Sequence, residues 1–216
     1  MELDIFFFMY GFISIILLLI VIFILRKSRN LANIAFVGTP ILFTLILIFN
    51  MINYYGQIIN NFLLWFPYLI APLGMLISSI YILEGPGFQK DQNLLTFLLG
   101  YIVVAGILSA YPNPLEYSDL TGLHAGIMHL ILIIPFLVTM NNFGRIENLI
   151  PDQKRRINML ITGLGAVAMG SMLRGVEFIM MNRESEIGMA IIVVGSIMTL
   201  LAFAGVRKQE EKKIQN

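Results

Sequence analysis

The chain has 216 residues, of which 58% are hydrophobic and 12% charged, with a formal net charge of +1 and a mean hydropathy of +0.84. Soluble domains carry about 45–50% apolar and about 25% charged residues, so this composition excludes an ordinary soluble domain and a disordered chain. Balanced basic and acidic residues exclude a nucleic-acid binder working through a broad basic surface, and zero cysteines exclude disulfides, thiolate metal sites and a Cys nucleophile.

A helix must run for roughly 20 mostly apolar residues to cross a hydrocarbon layer about 30 Å thick. Seven stretches approach that length: 5–25, 33–54, 62–83, 94–111, 123–140, 157–181 and 187–206. Runs such as Ile13 to Val21 do not alternate apolar and polar residues, which excludes a closed barrel of strands. The expected fold is all-α, a polytopic bundle of seven transmembrane helices forming one domain over 1–206, with a charged tail over 207–216.

The first span follows Glu2 and Asp4, where a signal peptide would be basic, and no small-residue cleavage site precedes Arg26 and Lys27. It is expected to remain as a helix. The next spans carry Pro40, Pro67 and Pro72, and the third ends at Glu84-Gly-Pro-Gly, which reads as a turn. Asn50, Asn53, Tyr54 and Tyr55 close the second span; Trp65 and Tyr68 open the third. Aromatic residues at this depth serve as interfacial anchors.

The fifth span carries His124 and His129. A spacing of five turns the second ring by about 140° at 100° per residue. The two imidazoles therefore do not share a metal, and no metal site is expected. The sixth span carries Arg174 and Glu177, three residues apart and so on one helix face. The same span has Gly163, Gly165, Ala166, Gly170, Ser171 and Gly175, and the seventh has Gly188, Gly195, Ala202 and Gly205. Small residues let helix backbones approach in lipid, so spans six and seven are expected to pack closely.

Orientation follows from the basic residues. Arg26, Lys27, Arg29, Lys90, Arg145, Lys154, Arg155, Arg156, Arg207, Lys208, Lys212 and Lys213 all fall on one side of the expected spans. Glu2, Asp4, Glu116, Asp119, Glu184 and Glu186 fall on the other. The positive-inside rule then places the N-terminus outside and the C-terminus in the cytoplasm of a multi-pass cell-membrane protein. On this topology Asn53, His124, His129, Arg174 and Glu177 lie in the outer half, and the inner half is nearly pure Leu, Ile, Val and Phe. An outward-facing ligand pocket of those five residues is expected. A polar path across the membrane, as a transporter of polar solutes would use, is not.

Enzyme motifs are lacking: no Gly-x-Ser-x-Gly, no phosphate-cradling Gly-x-x-x-x-Gly-Lys and no His-Glu-x-x-His. The expected protein is not an enzyme. No Lys lies between Ile187 and Val206, so a retinal Schiff base in the seventh helix is excluded and no cofactor is expected.

Several features are similar to one known family. Arg26-Lys-x-Arg29 after the first span, Trp65 with Pro67 and Pro72, the Glu84-Gly-Pro-Gly turn, and Arg155-Arg156 before a Gly-rich span together resemble the seven-transmembrane sensor region at the N-terminus of archaeal and bacterial histidine kinases. The resemblance implies an external or intramembrane stimulus passed to a cytoplasmic output. Residues up to Asn216 hold no phosphoacceptor or ATP-binding domain. The expectation is therefore a stand-alone sensor or membrane subunit that acts through another protein. A small-solute transporter or channel and an accessory subunit of a membrane complex remain the alternatives. The expected partners are the lipid bilayer and a cytoplasmic or membrane protein, with an oligomer left open and no nucleic acid.

Overall fold

The computed structural model describes residues 15, 19 and 22, 31–56, 61–85, 92–110, 118–147, 149–181 and 186–206. These residues form seven helices: α1 (Leu31–Gly56), α2 (Asn61–Glu84), α3 (Gln92–Ala110), α4 (Ser118–Ile131), α5 (Ile133–Gly144), α6 (Pro151–Met181) and α7 (Glu186–Val206). No strand occurs among the described residues. Among the described residues, five helical stretches are long and apolar enough to cross a membrane: Trp65–Glu84, Gln92–Ala110, Gly122–Gly144, Pro151–Met181 and Glu186–Phe203. α1 adds a shorter apolar run, Ile34–Ile46. Of the first expected span, Ile15, Leu19 and Ile22 are helical and exposed; the rest of that span and the tail 207–216 lie outside the described residues. The helices group into two compact units, Met1–Pro114 and Leu115–Asn216.

In the N-terminal unit α2 is central, with α1 and α3 packed against it. Pro67 and Pro72 interrupt the hydrogen-bond ladder of α2, because proline has no N–H to donate. Neighbouring helices supply polar groups at this stretch. The Thr39 hydroxyl of α1 donates to the Ala71 carbonyl at 2.6 Å and accepts from the Met75 N–H at 3.1 Å. Ala71 and Met75 are the two ends of one i→i−4 position, so the hydroxyl is inserted into the ladder. From α3, the Tyr101 hydroxyl donates to the Leu69 carbonyl at 3.0 Å. Gly74 makes the close approach between α1 and α2: a Cβ there would sit 2.8 Å from Thr39 Oγ1 and 3.1 Å from Thr39 N. Interhelical hydrogen bonds in membranes contribute about 0.6 kcal/mol on average and at most about 1.7. Thr39→Val removes two, so it is expected to destabilise the unit by about 1–2 kcal/mol in reversible detergent unfolding, while Thr39→Ser keeps wild-type stability.

α2 stops where Gly85 takes a φ of +73°, the left-handed conformation a helix-ending glycine adopts without a Cβ penalty. The expected turn at Glu84-Gly-Pro-Gly thus starts where the sequence places it.

In the C-terminal unit α6 is central and contacts α4, α5 and α7, most extensively α7. The fifth expected span is one hydrophobic stretch interrupted at Leu132, which links α4 to α5. Its N–H still reaches the Met128 carbonyl at 3.3 Å. Three residues later Pro135 has no N–H to return to the preceding turn, so the ladder loosens there. Two buried threonine hydroxyls in this unit turn back on their own helices: Thr139 donates to the Pro135 carbonyl at 2.7 Å and Thr199 to the Gly195 carbonyl at 2.8 Å. Such bonds satisfy a polar group without a partner from lipid.

α6 begins six residues before the expected span, and α5 extends to Gly144. The expected loop over 141–156 therefore shrinks to 145–150. The reason is local. Pro151 stands at the first helical position, where its missing N–H costs nothing. Asp152 lies in the first turn, favoured by the helix dipole. Gln153 Oε1 accepts from the Ile150 N–H at 3.3 Å, the returning half of a capping box, and Lys154 N–H donates to the Ile150 carbonyl at 2.9 Å. Lys154, Arg155 and Arg156 thus stand on helix. At 31 residues α6 is about 46 Å long, well over a hydrocarbon thickness of about 30 Å, so it is longer than a span requires by the length of its charged first turns.

Candidate functional site

Four of the five candidate residues belong to the C-terminal unit. α4 carries His124 and His129; α6 carries Arg174 and Glu177. The two helices meet at glycines. A Cβ on Gly126 would sit 2.7 Å from the Gly175 carbonyl oxygen, and one on Gly175 would sit 3.0 Å from the Gly126 carbonyl oxygen. The His129 ring stacks on Phe178 of α6, with centroids 5.4 Å apart and planes 13° from parallel.

On another side of α6, Gly163 and Gly170 meet Gly195 and Gly188 of α7. The expected close packing of the last two spans is present, and it runs antiparallel with a glycine every seven residues on each helix. Arg174 lies one turn beyond Gly170. Its guanidinium Nη1 reaches the Met189 thioether sulfur of α7 at 3.9 Å.

Burial separates the candidates. His129 is 2% exposed and Arg174 8%. Glu177 and His124 are half-buried. His129 packs on α6 through Phe178, one helical turn after Arg174. The structure therefore gathers His129 and Arg174 around α6, with Glu177 on the same helix. His124 lies five residues before His129, on another side of α4. Asn53 belongs to α1 in the N-terminal unit, and its side chain lies outside the described residues. Among the described residues no three His, Asp or Glu side chains converge as metal ligands.

Phe178 and Met189 complete these contacts, and neither is among the five expected site residues; Met189 reads from sequence only as one of the packing methionines of the last two spans. Phe178 stands four residues after Arg174, one helical turn on. Met189 follows Gly188, the glycine that sets the approach of α7 to α6. A residue beside a tight-packing glycine on the facing helix is the signal that would have found it.

A cleft of about 300 Å³ lies at the far end of this unit, between the end of α5 and the start of α6. None of the five candidate residues lines it. No protein-family profile, curated protein or solved structure matches the chain.

Proposed function

We propose that this is a non-enzymatic multi-pass cell-membrane protein of sensor or receptor type, with seven spans, an external N-terminus and a cytoplasmic C-terminus. Its polar ligand site lies in the outer half of the C-terminal unit, around Arg174, Glu177 and His129, and binding there is relayed to a protein partner. The observation that carries this reading is the burial of Arg174. An arginine costs up to about 2.5–3.5 kcal/mol in a spanning helix on insertion scales, the full amount at the helix centre and less toward the outer end where Arg174 stands. Here the guanidinium is held within helix packing beside a thioether, instead of reaching for solvent. Charges kept at such a cost in a membrane helix serve ligand or ion recognition.

The absence of cysteine makes the chain its own background for accessibility measurements. Single cysteines at Glu177 and His124 are expected to react with a membrane-impermeant maleimide added outside intact cells. Cysteines at Leu160 and Leu164, buried further along α6, are expected to stay unlabelled from both sides. Labelling of the Leu160 and Leu164 positions would establish a path across the membrane, and the transporter alternative would replace the sensor reading. A cysteine at Arg155 labelled from outside would reverse the proposed orientation.

A further inference from the structure

We infer that the cleft between the end of α5 and the start of α6 binds the phosphate headgroup and upper acyl chain of an anionic phospholipid. Lys154, Ile157, Asn158 and Ile161 line the cleft from α6. They follow the spacing i, i+3, i+4, i+7 and so form one helix face. Phe143 closes the opposite wall, and Leu149 contributes from the linking loop. Phe143 and Ile157 are buried; Lys154 and Asn158 are exposed at the rim. The result is an apolar floor of aliphatic and aromatic carbon under one ammonium and one amide.

The surroundings select the sign of the ligand. Arg145, Arg155 and Arg156 accompany Lys154 in the segment 145–156, against the two carboxylates Glu147 and Asp152. The segment is therefore net positive. It also stands where the long α6 emerges from its apolar stretch, at headgroup depth. Basic pockets at this depth between membrane helices match acidic headgroups: the charge meets phosphate and the apolar wall takes the chain. A soluble anion would use the rim but not the floor, whereas a zwitterionic lipid would use the floor without a net charge to meet. This inference makes no use of the Arg174 site and stands or falls separately from it.

The test is retention of phosphatidylglycerol against phosphatidylcholine by the detergent-solubilised full chain, read by native mass spectrometry. Wild type is expected to retain phosphatidylglycerol preferentially. Lys154→Gln is expected to reduce that retention about fivefold, the equivalent of one basic residue at a membrane surface. Gly144 also lines the cleft, and a Cβ there meets nothing within 4 Å. Gly144→Leu is therefore expected to occupy the floor and lower retention with no change in charge; helicity by circular dichroism confirms that it folds. Arg155→Gln, outside the lining, is expected to lower retention clearly less than Lys154→Gln does. Equal retention of the two lipids by wild type would overturn the inference. So would equal losses for Lys154→Gln and Arg155→Gln, which would indicate diffuse surface attraction. So would competition by glycerol phosphate as effective as that of the intact lipid, which would indicate a headgroup-only site.

Discussion

Gly163→Ala and Gly170→Ala are expected to unfold the C-terminal unit far more readily than wild type, by about 3 kcal/mol each, at the upper end of the usual cost of overpacking. The reason lies in what the added methyl would meet. At Gly163 it would come within 2.7 Å of Thr199 N and 2.8 Å of the Gly195 carbonyl oxygen; at Gly170, within 2.6 Å of the Gly188 carbonyl oxygen. These are backbone atoms, which cannot swing aside as a side chain can. α6 and α7 would have to separate along their length, with loss of the dispersion contacts that drive helix association where lipid is as apolar as the helix surface. The comparison is Gly38→Ala and Gly100→Ala. A Cβ at either position meets nothing within 4 Å, so both are expected to hold or raise stability, through helix propensity worth up to about 1 kcal/mol. Reversible unfolding in mixed micelles measures all four. Equal losses at the two pairs would show that generic helix effects, not the interhelical approach, set the cost.

Arg174→Met, alone and combined with Glu177→Gln, is expected to give opposite outcomes for stability and for ligand response. Removing one charge from a buried neighbourhood destabilises by about 3–5 kcal/mol when its partner is left behind, whereas replacing both charges by uncharged groups is often neutral or stabilising. The spacing of three residues puts both side chains on one face of α6. The double variant is therefore expected to return to wild-type stability or exceed it, the more so because Met preserves an apolar stem against Met189. The same variant is expected to lose any rise in unfolding temperature that small carboxylates or phosphates produce in wild type. A double variant still about 3 kcal/mol below wild type would mean that the charges hold the fold together, and the ligand-site reading would be abandoned.

Much of this was legible in the residues. Helix ends appear where local chemistry sets them: Gly85 closes α2, and α7 starts within a residue of its expected position. The glycine content of the last two spans forecast their close packing, because only small residues permit it. The early start of α6 was missed because hydropathy measures lipid compatibility, and Asp152 to Arg156 are hydrophilic; helix propensity and the Ile150–Gln153 cap act irrespective of lipid. The break at Leu132 was also missed, although Pro135 was there to suggest it.

The candidate site was only half legible. The cost of a charge in lipid singles out Arg174 and Glu177 from sequence alone, and it does so for any fold. Which helix each side chain meets depends on crossing points, and those depend on which glycines face one another. Gly175 pairs with Gly126 of α4, whereas Gly163 and Gly170 pair with α7. From sequence, the small residues of span six, Gly175 included, are all assigned to packing against span seven. Their division between two partners is what turns Arg174 toward Met189 and brings Phe178 onto His129.

Composition and charge placement by themselves determined that the chain is helical and suited to a membrane, because the cost of exposing polar backbone and charge to lipid is large and local. Only the tertiary structure decided that Thr39 bridges the proline-loosened ladder of α2 and that a basic-rimmed cleft forms beside α6. These features come from contacts between residues far apart in the chain, each worth a kcal/mol or so, and no local pattern encodes a contact whose two halves lie on different helices.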